Sequence, residues 1–158
     1  MSAGAFQGGG EMGWMADKWE EMSKQLRGLV VPHLATGEQL LGVAHANQPR
    51  IFRSELFAVG VTPARLILVP IDRRNAPAGA PVSIEKGEIR SASIWGWGGS
   101  VADFLSASAG QQIRFEGGGR KWKLMLLGGN LLEDSLSGPS QRAGLSALVE
   151  FLLAARPA

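Results

Sequence analysis

The chain has no cysteine, no tyrosine and only two histidines. The absence of cysteine excludes a disulfide framework, a thiolate zinc site and a cysteine nucleophile. His33 and His45 fall in different predicted elements, and neither belongs to an HExxH-type metal motif. No GxSxG nucleophile elbow and no GxxxxGK[ST] phosphate loop occurs either. The sequence therefore predicts a non-enzymatic protein with no cofactor and no metal site, and it leaves an enzyme as the third alternative.

A strong excess of one charge and a long apolar run are missing too. With 16 basic and 14 acidic residues the formal net charge is +2, which does not by itself indicate a nucleic-acid partner. No apolar run approaches the roughly 20 residues that span a bilayer. The opening MSAGAFQGGGEMGW has no basic residue before Lys18 and no sustained apolar core, so we do not expect a secretory signal. These features predict a soluble, cytoplasmic protein.

The length of 158 residues and the apolar content of 45% suffice for one buried core, so one main domain is expected. We predict three regions along the chain. Residues 1–10 are rich in glycine and are expected to form a disordered tail. Residues 11–29 form a helix, and residues 30–158 form a mainly β domain that ends in a second helix.

The predicted N-terminal helix has an apolar stripe with steps of three and four residues. Its members are Met12, Met15, Trp19, Met22, Leu26 and Leu29. Two interpretations are open: the stripe packs on its own domain, or it docks onto a partner or a second copy of the chain. Methionine and tryptophan suit the second interpretation because they adapt to irregular surfaces. The first four residues of the stripe are therefore candidate apolar contacts.

The segment Leu56–Asp72 reads as two apolar strands joined by the turn Thr62-Pro63-Ala64-Arg65. In the expected register, Val59 and Val61 face one way. The other face carries small residues opposite branched ones, namely Ala58 and Gly60 opposite Val69 and Ile67. Both faces are apolar, whereas a sheet with one wet face alternates. This outer face must therefore be covered by the N-terminal helix, by another subunit or by a partner.

Shorter patterns fill the rest of the domain. We predict a first strand at 38–46, a loop at 47–54 that carries Arg50 and Arg53, and at 82–97 either one bent strand or two short ones interrupted near Gly87. One of the tryptophans at positions 95 and 97 is expected in the core and the other at a contact surface. A C-terminal helix is expected after Ser137-Gly138-Pro139. Its apolar stripe is Leu145, Leu148, Val149 and Leu152.

A second hairpin is predicted from Gln112 to Leu126 around the loop Gly117-Gly118-Gly119-Arg120. A four-residue loop places Phe115 opposite Trp122 and Glu116 opposite Lys121, which favours this register. It also places Arg114 opposite Lys123, and such like charges are relieved by solvent or by an anion. The predicted anion or partner surface comprises Arg50, Arg53, Arg114, Arg120, Lys121 and Lys123, and the predicted apolar contacts comprise Met12, Met15, Trp19, Met22, Trp95 and Trp97.

The order of elements and several short segments together resemble the bacterial pleckstrin-homology-like (PH/GRAM-like) domains. The segments are Glu38-Gln39-Leu40-Leu41, Val61-Thr62-Pro63-Ala64-Arg65-Leu66-Ile67-Leu68-Val69 and Glu88-Ile89-Arg90-Ser91. The resemblance implies a bent, partly open barrel of seven strands, with the C-terminal helix plugging one end. In eukaryotic relatives, basic residues of the first inter-strand loop bind phosphoinositides. Here that loop has Arg50 and Arg53 without the Lys-rich spacing of those relatives.

Two functional hypotheses follow. The leading one is a binding module for protein–protein association, including self-association through the N-terminal helix or the sheet edges. The alternative is a module that binds a membrane surface or an anionic lipid head group through Arg50, Arg53 and the hairpin from Arg114 to Lys123. No specific nucleic-acid partner is expected, because four cations on one hairpin make a small footprint.

Overall fold

The structure is a computed structural model that describes residues 3–94, 111–126 and 134–155. Two helices and seven strands make up the described part of the chain. In order they are α1 (Ala3–Val30), β1 (Gly42–Pro49), β2 (Ser54–Val61), β3 (Arg65–Ile71), β4 (Val82–Glu85), β5 (Ser91–Ile94), β6 (Gln111–Gly117), β7 (Arg120–Leu126) and α2 (Asp134–Ala155). Short 3₁₀ turns occupy Val31–His33 and Lys86–Glu88.

All seven strands form one antiparallel sheet in the order β4-β3-β2-β1-β7-β6-β5. The sheet does not close into a barrel, because no pairing joins β4 to β5 within the described ranges. It is nevertheless strongly curved. A Cβ atom on Gly117, the last residue of β6, would lie 2.9 Å from Cγ2 of Ile84 on β4. The expected mainly β architecture with a helix at each end of the chain is confirmed.

Both hairpin registers are as predicted. In the first hairpin Val59 pairs with Leu68 and Gly60 with Ile67. In the second hairpin Phe115 pairs with Trp122 and Arg114 with Lys123. The segment from 82 onward contains two short strands separated by the 3₁₀ turn around Gly87, which agrees with one of the two alternatives. Trp95 and Trp97 lie outside the described residues.

Strand β1 differs from the predicted first strand in its bounds. It begins at Gly42 instead of residue 38 and runs to Pro49, so that the loop between β1 and β2 shrinks to residues 50–53. The turn-like composition of Asn47 and Pro49 is overridden because β2 pairs along the whole of β1, up to Pro49 opposite Ser54. Pro49 is tolerated because it is the last residue of the strand.

Both helices begin earlier than the sequence indicated. Helix α1 begins at Ala3, so residues 3–10 are helical and not the predicted tail. A helix that has nucleated propagates at little further cost, even through a weak sequence. Helix α2 begins at Asp134, with Pro139 in its second turn instead of at its start. The Glu20 carboxylate of α1 accepts hydrogen bonds from Ser140 N at 2.8 Å and Ser140 Oγ at 2.6 Å, which ties this part of α2 to α1.

Two apolar clusters hold the fold together. The main core lies between the inner face of the sheet and α2, where the predicted stripe of α2 is fully buried. The second cluster lies between α1 and the outer face of the sheet. Its fully or almost fully buried members are Leu26, Val30, Val43, Ala58, Ile67, Val69 and Ile71.

Helix α1 therefore covers the outer face of the β2–β3 hairpin within the same chain. The small residues on that face are what allow the close approach. A Cβ atom on Gly60 would collide with Cγ1 of Val30 and lie 3.3 Å from its Cγ2. Because Leu26 and Val30 fill this space, the outer face needs no second subunit or partner to keep it from water.

Candidate functional site at the open end of the sheet

The two ends of the sheet are different. At one end α2 packs beside the β2–β3 turn, where Phe151 and Ala147 line a groove with Thr62 and Pro63. At the other end three connections converge: residues 50–53 between β1 and β2, residues 72–81 between β3 and β4, and the β6–β7 turn. The pairing of Leu56 with Ile71 brings the first two together, and an Arg120–Glu55 contact adds the third. We call these three connections, with Glu55, the open end.

The tip of the β1–β2 loop is apolar and almost fully exposed. Ile51 is 93% exposed and Phe52 is 97% exposed. The other large exposed apolar side chains of the described ranges, Val31 and Leu41, are only about half exposed, at 46% and 48%. Isolated exposed apolar residues are common on proteins, but two adjacent ones held almost entirely in water at a loop tip indicate a contact surface.

Glu55 joins two arginines that lie far apart in the sequence. Its carboxylate contacts Arg50 Nε at 3.1 Å through one oxygen and Arg120 Nη2 at 3.8 Å through the other. The Arg120 guanidinium also lies 3.8 Å above the ring of Trp122, a cation–π geometry. The structure thus brings together two predicted site residues, Arg50 and Arg120, around an acid that the sequence analysis did not single out.

Arg53 lines a cavity of about 410 Å³ at the open end, together with Arg120 and Glu55. The lining is about equally polar and apolar, with Phe57 and Ile71 among its apolar residues. Arg53 makes no hydrogen bond or ion pair with any residue that the structure describes. Its charge is therefore available to a ligand.

The β3–β4 connection adds further positive charge at the open end. Asp72 stabilises its first turn by accepting hydrogen bonds from Ala76 N at 3.0 Å and Arg74 N at 2.8 Å, and these bonds lower the pKa of Asp72. The adjacent Arg73 and Arg74 are exposed. The open end consequently has an excess of cations over the carboxylates of Glu55 and Asp72. The arginines are Arg50, Arg53, Arg73, Arg74 and Arg120.

The remaining predicted cations lie elsewhere. Arg114, Lys121 and Lys123 project from the outer face of the β6–β7 hairpin, where all three are exposed. Arg114 does face Lys123, as expected, and the Gln112 amide oxygen, oriented by its hydrogen bonding, accepts from Arg114 Nε at 2.6 Å. The predicted cationic surface is therefore divided between the open end and this outer face.

Where the structure describes their side chains, the predicted apolar contact residues of α1 pack against residues of the same chain. Trp19 is half-buried and meets His45 edge-on, with ring centroids 6.3 Å apart. Met22 packs against the cluster under α1. The side chains of Met12 and Met15 lie outside the described part of the structure. Trp19 and Met22 thus serve the packing of α1.

His45 on β1 contacts both helices: its ring meets Trp19 of α1, and its backbone bonds to α2. It is half-buried, and this burial lowers its pKa. Its backbone exchanges two hydrogen bonds with the buried Gln141 side chain, at 2.9 and 3.2 Å.

Throughout the described residues no cluster of His, Asp and Glu is placed to hold a metal ion. Nor does any described helix combine the length and hydropathy of a membrane span.

Some of the residues on which the family resemblance is based contact one another away from the open end. Arg65 donates to both carboxylate oxygens of Glu38, from Nη2 at 2.7 Å and from Nε at 2.9 Å. Ala35 N and the buried Thr62 hydroxyl donate to the same carboxylate, at 2.9 and 3.1 Å. The Arg65 bonds, then the Ala35 bond, hold the pKa of Glu38 at about 2. These residues tie the segment before β1 to the β2–β3 turn.

These contacts predict a pH dependence of stability. The pKa of Glu38 is about 2 in the folded chain against 4.5 for a free side chain, so its contribution is complete above pH 4.5 and is lost as the pH falls towards 2. In urea titrations, Glu38→Gln should lower the free energy of unfolding by a constant amount at neutral pH. The difference from wild type should then shrink steadily towards pH 2. A difference that stayed the same from pH 6 to pH 2 would contradict this assignment.

Comparisons with known proteins assign no function to this arrangement. No protein-family model matches the chain, and no curated protein matches it. Among solved structures, the chain is similar to the C-terminal domain of an unknown protein from Leishmania infantum, with a TM-score of 0.42 and 19% sequence identity over 82% of this chain and 93% of that one. A similarity of this size carries no functional argument, so the function has to be inferred from the geometry of the open end.

Proposed function

We propose that the chain is a PH-like module that binds the surface of an anionic membrane through its open end. The observation that carries the proposal is the almost complete exposure of Ile51 and Phe52 between Arg50 and Arg53. In this arrangement the two apolar side chains enter the interface between head groups and acyl chains. The surrounding arginines contact the lipid phosphates.

Two kinds of attraction act together at this site. Burying a side chain the size of isoleucine or phenylalanine is worth about 1.5–3 kcal/mol, and each cation near an anionic surface adds about 1 kcal/mol. One weak anchor alone gives only marginal, reversible membrane binding, whereas two combined signals make it stable. The apolar tip and the arginines supply both signals at one end of the sheet.

A membrane is favoured over a protein partner because of what α1 covers. One of the grounds for protein association was the apolar outer face of the β2–β3 hairpin, and Leu26 and Val30 bury that face within the chain. The open end offers instead a small apolar tip surrounded by positive charge. This pattern suits a fluid anionic surface better than a shaped apolar pocket.

Sedimentation with lipid vesicles tests the proposal. We expect the wild-type chain to bind vesicles of phosphatidylcholine and phosphatidylserine, and to bind phosphatidylcholine vesicles much more weakly. The double variant Ile51→Ser, Phe52→Ser should lose affinity by at least about 100-fold, because about 3 kcal/mol or more of apolar burial is removed. Higher ionic strength should weaken wild-type binding, since it screens the arginines.

Leu41→Ser is the matched control, because it also removes a large exposed apolar side chain, but at the end of the sheet that carries α2. It should leave vesicle binding unchanged. The proposal fails if wild type does not sediment with anionic vesicles, or if the double variant sediments as well as wild type. It also fails if neither wild type nor the double variant binds vesicles while the substitutions abolish binding to a protein partner.

A further inference from the structure

We infer that Glu55 is a built-in counter-ion that competes with lipid phosphates for Arg50 and Arg120 and so sets the surface charge at which the chain binds. This inference rests on the proposed function. It assigns a regulatory role to the acidic residue of the open end that contacts both arginines.

The carboxylate lies between the two guanidinium groups and is accessible to solvent. One oxygen is 3.1 Å from Arg50 Nε and the other is 3.8 Å from Arg120 Nη2. The side chains of Glu55, Arg50 and Arg120 are 37%, 50% and 41% exposed. A phosphate arriving from solvent can therefore reach both arginines without any change in the sheet.

Exposed ion pairs of this kind are weak. The phosphodiester of a phospholipid has two non-bridging anionic oxygens and can bind a guanidinium through two parallel hydrogen bonds, which is the stronger interaction. The exchange of Glu55 for a lipid phosphate is therefore favourable where the net negative charge of the surface is high. It is unfavourable where anionic lipids are scarce, because the carboxylate is always present at high local concentration.

Glu55 cannot move far from the site after it has been displaced. Its backbone is fixed in β2 opposite Gln48, and the amide nitrogen of the buried Gln48 side chain lies 3.5 Å from the second carboxylate oxygen. Gln48 is itself held by a bond from Lys123 N to its Oε1, at 3.2 Å. The negative charge of Glu55 hence stays at the mouth of the site and opposes anion binding throughout.

The test compares vesicle binding over a series of phosphatidylserine contents for wild type and Glu55→Gln. The variant keeps the shape of the side chain and removes its charge. At phosphatidylserine contents where wild type is only partly bound we expect it to bind about 5-fold more tightly, which is the effect of one charge worth about 1 kcal/mol near the surface. Its binding curve should shift to a lower phosphatidylserine content, and the bound fractions of the two chains should converge only where both are saturated.

Glu150→Gln is the matched control, because it makes the same change of net charge on α2, at the opposite end of the sheet. It should leave the curve close to that of wild type. Arg50→Gln provides a second measurement: it should reduce binding more in the Glu55→Gln background than in wild type, since Arg50 is then released from its partner.

The possible failures are distinguishable. If wild type binds anionic vesicles but Glu55→Gln follows the same curve, Glu55 does not compete and only this inference is lost. The same conclusion holds if Glu150→Gln shifts the curve equally, because the effect then belongs to net charge. If wild type does not bind anionic vesicles at all, the proposed function fails, and the role of Glu55 fails with it.

Discussion

Replacement of Gly144 by valine is expected to remove at least about 3 kcal/mol of stability, because α2 crosses β1 at this residue without room for a side chain. A Cβ atom on Gly144 would collide with the carbonyl oxygen of Val43, and it would lie 2.5 Å from the Val43 carbonyl carbon and 3.0 Å from Ala44 N. These are backbone atoms of a central strand, so no rotation of a side chain can relieve the contact. The helix would have to move away from the sheet and open the main core.

Thermal unfolding should show this loss as a fall in Tm of about 6–12 °C or more. Gly144→Ala supplies a graded second variant in case the valine variant does not fold. Gly28→Ala is the matched control: it also lies in a helix, but a Cβ atom there would meet nothing within 4 Å. Its Tm should stay equal or rise slightly, because alanine favours a helix over glycine by up to about 1 kcal/mol. Equal Tm values for Gly144→Ala and wild type would contradict this description of the contact.

The hairpins could be predicted from the sequence because their information is local. In the β6–β7 hairpin the alternation of Ile113 and Phe115, a short glycine-rich loop and the pairing of Phe115 with Trp122 all favour one register. A shift of one residue would bring the cations into the core. The same reasoning succeeded for β2 and β3, where the Thr62–Arg65 turn fixes the pairing.

The charged contacts could not be predicted because they depend on the order of strands in the sheet. Arg50 and Arg120 meet at Glu55 only because β1 lies between β2 and β7, and nothing in their local sequence specifies that neighbour. The bond between Glu38 and Arg65 likewise joins residues 27 positions apart. Their sequence signal was present in the resemblance to PH-like domains, but it did not show that the two residues touch.

The open end shows a second reason why the site could not be predicted fully from the sequence. The sequence shows Ile51 and Phe52 between two arginines, but an apolar pair in a loop is as compatible with burial under a neighbouring segment as with exposure. Conversely, the sequence shows that the outer face formed by Ala58 and Gly60 is apolar and must be covered. Its small residues and the stripe on α1 are complementary, yet only the packed structure decides between cover in the same chain and cover by a partner.

Replacement of Trp122 by alanine is expected to cost about 3–5 kcal/mol, which is typical for truncation of a buried tryptophan. The ring stacks on Phe115 with centroids 6.1 Å apart, meets Phe57 edge-on at 5.6 Å and donates from Nε1 to Gly117 O at 3.2 Å. Truncation would leave a cavity in the main core and remove the surface on which Arg120 rests. Thermal or urea unfolding measures the loss, and the Tm should fall by about 6–20 °C.

The controls for Trp122 are its own neighbours in β7. Lys121 and Lys123 flank it and point to the solvent side, so their alanine variants should stay within about 0.5 kcal/mol of wild type. Trp122→Phe, which keeps an aromatic ring, should lose less than Trp122→Ala and should keep vesicle binding near the wild-type level. A Trp122→Ala variant as stable as Lys123→Ala would show that the ring is not packed as described. The position of Arg120 at the open end would then lose its support, because the same ring holds the guanidinium beside Glu55.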